Sequence, residues 1–508
     1  VKGSIAMKTK LGILSACLLT FSLACGGNGV EINTGGKKDP KIPGKPTTST
    51  GETVSDSAQA KFNAAVETMV AHDKAADWND AACGEVAKKF EDAASEQKSK
   101  KFPEATYNAG LAWQRCGNDK EARTHFTKAL SDDPNFHYAK VQLALYDYKG
   151  NSNEDAAIST LQQAVTDAKF QNVPALVNLA MFQMQRDSES AGSDCKNDMD
   201  CAKRNLQRAL AIDDAYMPAF NQLALYYFQQ AKKRAGAVKS SQKGGRGRQI
   251  ATNAAIAKRA DVQQLELAAL VCSQAIRKNP NYAPIHNTAG LIQNELGQVN
   301  SAVAEFATAA KLDPKFFEAQ MNYAAVNLSF RGFEQAATAY KKALEMRPND
   351  YDAHLGLALA LRGPIQATDA NYEQEVAAVQ AELDACKKLD ANRPDAFYNE
   401  GILVQEFKAK AGARKDATKA ALRQAKGIFQ TFTDKAQGKA EYDGAVKRSK
   451  ERMQDIDDTI QFLDLDASEQ KAQGAPGGPA PAATDAPAAG GDKPADKPAD
   501  KPAEAPKK

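Results

Sequence analysis

Histidine and tryptophan are scarce in this chain, five and two among 508 residues. His72, His125, His137, His286 and His354 form no HExxH and no cluster with metal-ligand spacing, so the raw material for a metal centre is thin. There is no GxxxxGK phosphate loop, no GxSxG nucleophile elbow, no GxGxxG and no CxxC. Aromatic residues are only 7%, which favours close helix–helix packing over thick mixed cores. A net charge of +3 is too small to argue for a nucleic-acid partner. No apolar run reaches the roughly 20 residues needed to span a bilayer as a helix. The chain is expected to be non-catalytic, with no cofactor, no metal and no nucleic acid.

The apolar run that is present, Leu11 to Ala24, follows the basic Lys8 and Lys10 and has the length of a signal-peptide core. Small Ala24, then Cys25 and Gly26-Gly27, resemble a bacterial lipobox, which implies a lipidated Cys25 and a membrane anchor. Leu14-Ser15-Ala16-Cys17 fits that pattern better by letters, but it leaves only about four apolar residues before the cut. Residues 1–24 are therefore read as a signal peptide. Residues 25–56, rich in Gly, Pro, Ser, Thr and charge, are read as a flexible tether.

The middle of the chain repeats. Pro280, Pro314 and Pro348 are spaced by 34 residues. Ahead of Pro314 come Ala289-Gly290, Gly297, Ala302, Phe306 and Ala309; ahead of Pro348 come Tyr323-Ala324, Ala336, Tyr340 and Ala343. Ala109-Gly110, Trp113, Gly117, Ala122, Phe126 and Ala129 stand at the same offsets before Pro134. So many agreeing offsets at one period resemble the tetratricopeptide repeat, a pair of antiparallel helices. Gly or Ala in the first helix lets the second approach, the Ala–x3–aromatic–x2–Ala run lies on one face of the second, and Pro ends the unit.

Weaker copies are marked by Ala157/Leu161/Ala164, Ala202/Leu206/Ala209, Ala268/Cys272/Ala275, Ala378/Ala385 and Glu400-Gly401, and at the front by Phe62, Val66, Phe90 and Ala93. The resemblance implies an all-α, right-handed superhelix of eight or nine hairpins over 57–465, with insertions near 187–200 and 231–260.

In such an array the first helices line a concave face. Placed on this chain, the repeat puts Tyr107, Leu111, Gln114, Tyr148, Asn221, Phe228, Asn287, Leu291, Asn294, Met321 and Leu328 on or near it, amides and rings suited to a peptide or partner helix. Asp352 and Gly356 stand where a carboxylate clamp of this repeat type needs Lys and Arg, which argues against that role.

Cys83, early in a second helix, and Cys116, late in the next first helix, fall at one level of two antiparallel helices, so a disulfide is predicted. Cys195 and Cys201 are placed to close a small loop in an oxidising compartment. Asp198 and Asp200 lack the Gly and Glu of a calcium loop and read as a solvated acidic loop. The insertion 231–260 carries nine Lys and Arg and no acidic residue, and it reads either as a solvated loop or as a contact for an acidic partner. Beyond Leu465 the Pro/Ala/Lys/Asp-rich sequence of 466–508 cannot build a core and is read as a disordered tail.

The start through Cys25, the array and the Asp-Lys-Pro-Ala tail together resemble the outer-membrane tetratricopeptide lipoproteins of the myxobacterial adventurous gliding machinery. That resemblance implies an envelope scaffold facing the periplasm, with motility proteins as partners and an outer-membrane barrel among them. The alternative is a lipoprotein that aids polysaccharide secretion or cell-wall association.

Overall fold

The computed structural model describes residues 46–75, 77–189, 195–241, 249–409 and 414–473, with side chains in these stretches except 234–241, 249–261 and 466–473. The expected export signal, Cys25 and the tail beyond Gln473 lie outside the described residues. Nine antiparallel helix pairs follow one another. They are α1 (Asp56–Ala75) with α2 (Asp80–Ser95), α3 (Pro103–Arg115) with α4 (Asp119–Asp132), and α5 (His137–Asn151) with α6 (Glu154–Asp167). Next come α7 (Val173–Arg186) with α8 (Asp198–Ile212), α9 (Met217–Ser241) with α10 (Gln249–Lys278), and α11 (Ala283–Glu295) with α12 (Val299–Leu312). The last are α13 (Phe317–Ser329) with α14 (Phe333–Met346), α15 (Tyr351–Arg362) with α16 (Tyr372–Leu389), and α17 (Asp395–Leu403) with α18 (Lys415–Ala436). A final helix, α19 (Asp443–Gln473), packs on α18. Among the described residues no helix is long and apolar enough to cross a membrane.

Local chemistry sets the helix ends. Asn79, Asn118, Asn153, Asn172 and Asn197 cap α2, α4, α6, α7 and α8, each side-chain oxygen accepting an N–H of the first turn. Each such cap is worth about 1 kcal/mol. Within the hairpins, Gly117 and Gly297 make the turn at φ 71° and 76°. In the α13–α14 turn Arg331 does so at φ 65°, where a side chain is strained. Arg331→Gly is expected to stabilise the protein by about 1 kcal/mol. A thermal midpoint that falls instead would show that the strain is compensated.

Packing follows the small-and-aromatic pattern, with one correction. Glycine does not admit the second helix's backbone; it admits a ring. A Cβ on Gly110 would lie 2.6 Å from the Phe126 ring, on Gly290 2.6 Å from Phe306, and on Gly401 2.6 Å from Phe429. These rings are at most 2% exposed. In α13 that position is Ala324, and the Tyr340 ring of α14 instead seats on Gly356 of the following hairpin. The weaker stripes are also buried: Ala157, Leu161 and Ala164 on α6, Ala202, Leu206 and Ala209 on α8, and Ala268, Cys272 and Ala275 on α10. On α16 the expected Ala378/Ala385 stripe is out of register. The buried face is Tyr372, Val376, Val379, Leu383 and Cys386, while Ala378 is exposed, because the larger side chains claim the core.

From α5 onward each first helix touches the next first helix, and no two successive second helices approach comparably among the described residues. First helices therefore lie closer together than second helices, and the row bends toward them.

Three other expectations are corrected. The assigned tether 25–56 is not free over its last ten residues. Thr47 pairs with Thr53, Val54 is buried in the first core, and Ser55 N–H donates to Gln97 Oε1 at 2.8 Å. Ser49 N–H donates to Glu104 Oε1 at 2.6 Å, and burial pushes the Glu104 carboxyl up to about 7. Val54 and Thr48 are both buried, and Gly51 closes the turn between them at φ 83°.

The acidic pair of the first insertion is not a solvated loop. Asp198 is fully buried at the start of α8, where both its oxygens accept from Arg186 at 2.8 Å. The second insertion has helical backbone on both arms, as extensions of α9 and α10, rather than a loop from end to end. Its Ala, Lys, Gln and Arg are good helix formers. Of its basic residues, Lys233 bonds Asp187 at 3.0 Å, and most of the others lie outside the described side chains.

Candidate partner-binding face

The first helices offer the continuous surface on which a partner would lie, and the eleven side chains assigned to it divide in two. Tyr107, Leu111 and Phe228 are 2–6% exposed and belong to the cores. Tyr107 packs on Phe126, Phe136 and Tyr138 with ring centroids 5.3–6.0 Å apart. These three side chains are structural, because they fill cores shared with the second helices α4 and α10.

Asn221 and Asn287 are also buried, and their amides join neighbouring first helices. Thr288 Oγ1 donates to Asn221 Oδ1 at 2.7 Å, and Asn322 Nδ2 donates to Asn287 Oδ1 at 2.9 Å. A buried amide must find a partner inside the protein, so these are spent on assembly of the row.

The rest remain reachable. Asn294 is exposed, and Leu291, Met321 and Leu328 are half-buried at the edges of cores. Gln114 is half-buried and donates to Gln142 Oε1 at 3.2 Å. Tyr148 stands edge-on to Phe182, centroids 4.8 Å apart, and its hydroxyl accepts from Gln185 at 2.7 Å.

The face continues into a cluster that sequence reasoning missed. Arg362 ends α15, 34 and 68 residues after Leu328 and Asn294, and donates to the Asn399 carbonyl and side-chain oxygens at 3.2 Å. Arg448 on α19 donates to the Tyr398 hydroxyl at 3.3 Å, and Arg452 reaches Gln405 at 2.8 Å. Burial lowers the Arg362 pKa, and neighbouring Arg452 lowers it further. The 34-residue register was the available signal; the approach of α19 was not readable. The carboxylate-clamp positions are otherwise engaged, Asp352 with Arg393 at 2.7 Å and Gly356 under the Tyr340 ring.

Cys83 and Cys116 are joined, Cα atoms 6.4 Å apart, and so are Cys195 and Cys201 at 5.4 Å. Cys272 and Cys386 are free and buried. Burial raises both thiols, Cys386 to about 12, so neither is a ready nucleophile at neutral pH.

No family model matches the chain. Small glutamine-rich tetratricopeptide repeat-containing protein 2 of Mycosarcoma maydis is 27% identical over 112 residues, 22% of this chain. The match spans about a third (32%) of that relative's length. Among solved structures, a thermophilic TPR protein of Thermus thermophilus is 24% identical at a TM-score of 0.34, covering 44% of this chain and 98% of the other. The pilF protein of Pseudomonas aeruginosa is 17% identical at 0.34, covering 54% and 97%. What defines this chain's fold is its own geometry: successive antiparallel pairs, rings seated on first-helix glycines, and first helices in a continuous row. By that geometry the described chain is an all-α array of tetratricopeptide-like hairpins.

Proposed function

We propose that the chain is a non-catalytic scaffold that holds protein partners on its first-helix face, within the cell envelope. The observation that carries this is the row of half-buried apolar and exposed amide positions, Leu291, Asn294, Met321 and Leu328, on helices whose buried amides already fix their spacing. A rigid face needs little reordering on binding, which favours association. The finer reading is an outer-membrane lipoprotein anchored through Cys25 that assembles a gliding motility complex. It is supported by the signal-like start, the tether and the Asp-Lys-Pro-Ala tail.

Affinity purification in mild detergent tests both parts, comparing wild type, Cys25→Ala and Asn294→Glu/Leu328→Glu. The expected result is a stoichiometric set of envelope proteins with wild type, loss of the membrane fraction with Cys25→Ala, and at least a tenfold drop in partner recovery with the face variant at unchanged helicity. Full partner recovery by a folded face variant would sink the scaffold reading. An unchanged membrane fraction for Cys25→Ala would sink the anchor.

A further inference from the structure

Three of the histidines share an arrangement that packing alone does not require: both ring nitrogens face oxygen acceptors. His286 Nδ1 lies 2.7 Å from Glu305 Oε2 and Nε2 2.8 Å from the Pro280 carbonyl. His354, two periods later, repeats this with Glu382 Oε2 at 2.6 Å and the Pro348 carbonyl at 2.9 Å. His125 on α4 sits between Glu91 Oε1 and the Glu121 carbonyl, both at 2.8 Å. In the hairpin between the first two, Gln320 fills the same position and donates to the Pro314 carbonyl at 3.4 Å. The site is thus one where a donor from the first helix ties down the preceding proline turn.

A neutral imidazole carries one N–H, and two acceptors at these distances require two. The His286–Glu305–Pro280 group therefore holds one proton more than a neutral ring beside a carboxylate, whether that proton rests on nitrogen or is shared with the carboxyl. We propose that His286 is a proton-dependent fastener of its hairpin, holding α11 to α12 and to the Pro280 turn when protonated and loosening them when the proton leaves. His354 makes the matching contacts among the Pro348 turn, α15 and α16, and His286 joins the Pro280 turn, α11 and α12, tying both helices of one hairpin to the turn that leads into them. Without the proton, one of its two bonds becomes a repulsion between lone pairs.

The surroundings give the sign. Around His286 the charged group is Glu305, and the Cys272 thiol near Glu305 is kept neutral by burial. The bond to Glu305 raises the His286 pKa above its ordinary 6.5, against an opposing effect of burial. A raised folded value means that the stabilisation is complete below the unfolded pKa and is lost as pH rises through the folded one. The His286 hairpin should loosen on going from pH 6 to pH 8.5.

Hydrogen exchange on the full chain at both pH values, corrected for intrinsic rates, tests this against His286→Gln, a change that copies the native Gln320 of the following hairpin. Wild type should lose protection across α11 and α12, about tenfold for each unit by which the folded pKa exceeds the unfolded one. The variant should show no such loss. An equal pH response in both proteins overturns the proposal. The 15N spectrum of the wild-type imidazoles decides independently, even if the variant folds poorly. Two protonated nitrogens on the His286 ring at pH 6.5 support the fastener, and a single neutral tautomer there overturns it.

Discussion

Phe306→Ala is expected to cost about 3–5 kcal/mol, the range for removing a fully buried phenylalanine, since its ring is 2% exposed and seated on Gly290. The other half of the lock gives the sharper test. Glycine inside a helix ordinarily gives way to alanine with a gain of about 1 kcal/mol, and that gain is expected at Gly427, where an added Cβ meets nothing within 4 Å. At Gly290 the same change puts a Cβ 2.6 Å from two Phe306 ring atoms, so the sign should reverse. A loss of about 2 kcal/mol follows from overpacking a filled site. Urea unfolding of the single variants and of Gly290→Ala/Phe306→Leu measures the coupling: the smaller leucine should relieve part of the Gly290→Ala penalty. Strictly additive effects would mean that ring and glycine do not form one lock.

Reducing the Cys83–Cys116 bridge should destabilise the first two hairpins by about 3–4 kcal/mol. The bond closes a separation of 33 residues, and the chain entropy it removes from the unfolded state grows with the logarithm of that length. Cys195–Cys201 spans only 6 and should matter less, by about 2 kcal/mol. The loss should be local, because each hairpin contacts mainly its neighbours. Amide exchange in α1 to α4 is the measurement, with and without reductant, and with Cys83→Ala/Cys116→Ala to separate the bridge from other thiol effects. Unchanged protection in these helices after complete reduction would contradict the estimate.

Much of the fold was legible because the repeat states its physics several times. Phe126, Phe306 and Tyr340 recur at fixed offsets from small residues, and each is buried. Where the repeat decays the inference slipped, as on α16, where alanines were taken for the stripe that Val376, Val379 and Leu383 form. The candidate face was less legible still. Tyr107, Phe228, Asn221 and Asn287 stand at face positions by register, yet the two asparagines are bonded to the next first helix and the two rings fill cores shared with second helices, neighbours that no local pattern reports.

The amino-acid order by itself determined the helical period, and the apolar side of the helices wherever the repeat is well kept. These depend on residues a few positions apart, through side-chain shape and backbone preference. Tertiary structure alone decided how closely successive hairpins stack, and hence which amides are consumed between first helices. It also decided that residues 46–55 dock, that α19 brings Arg448 and Arg452 near Arg362, and that His286 and His354 each meet two acceptors. Those outcomes depend on distances between elements tens of residues apart, set by the summed packing of many side chains rather than by any one of them.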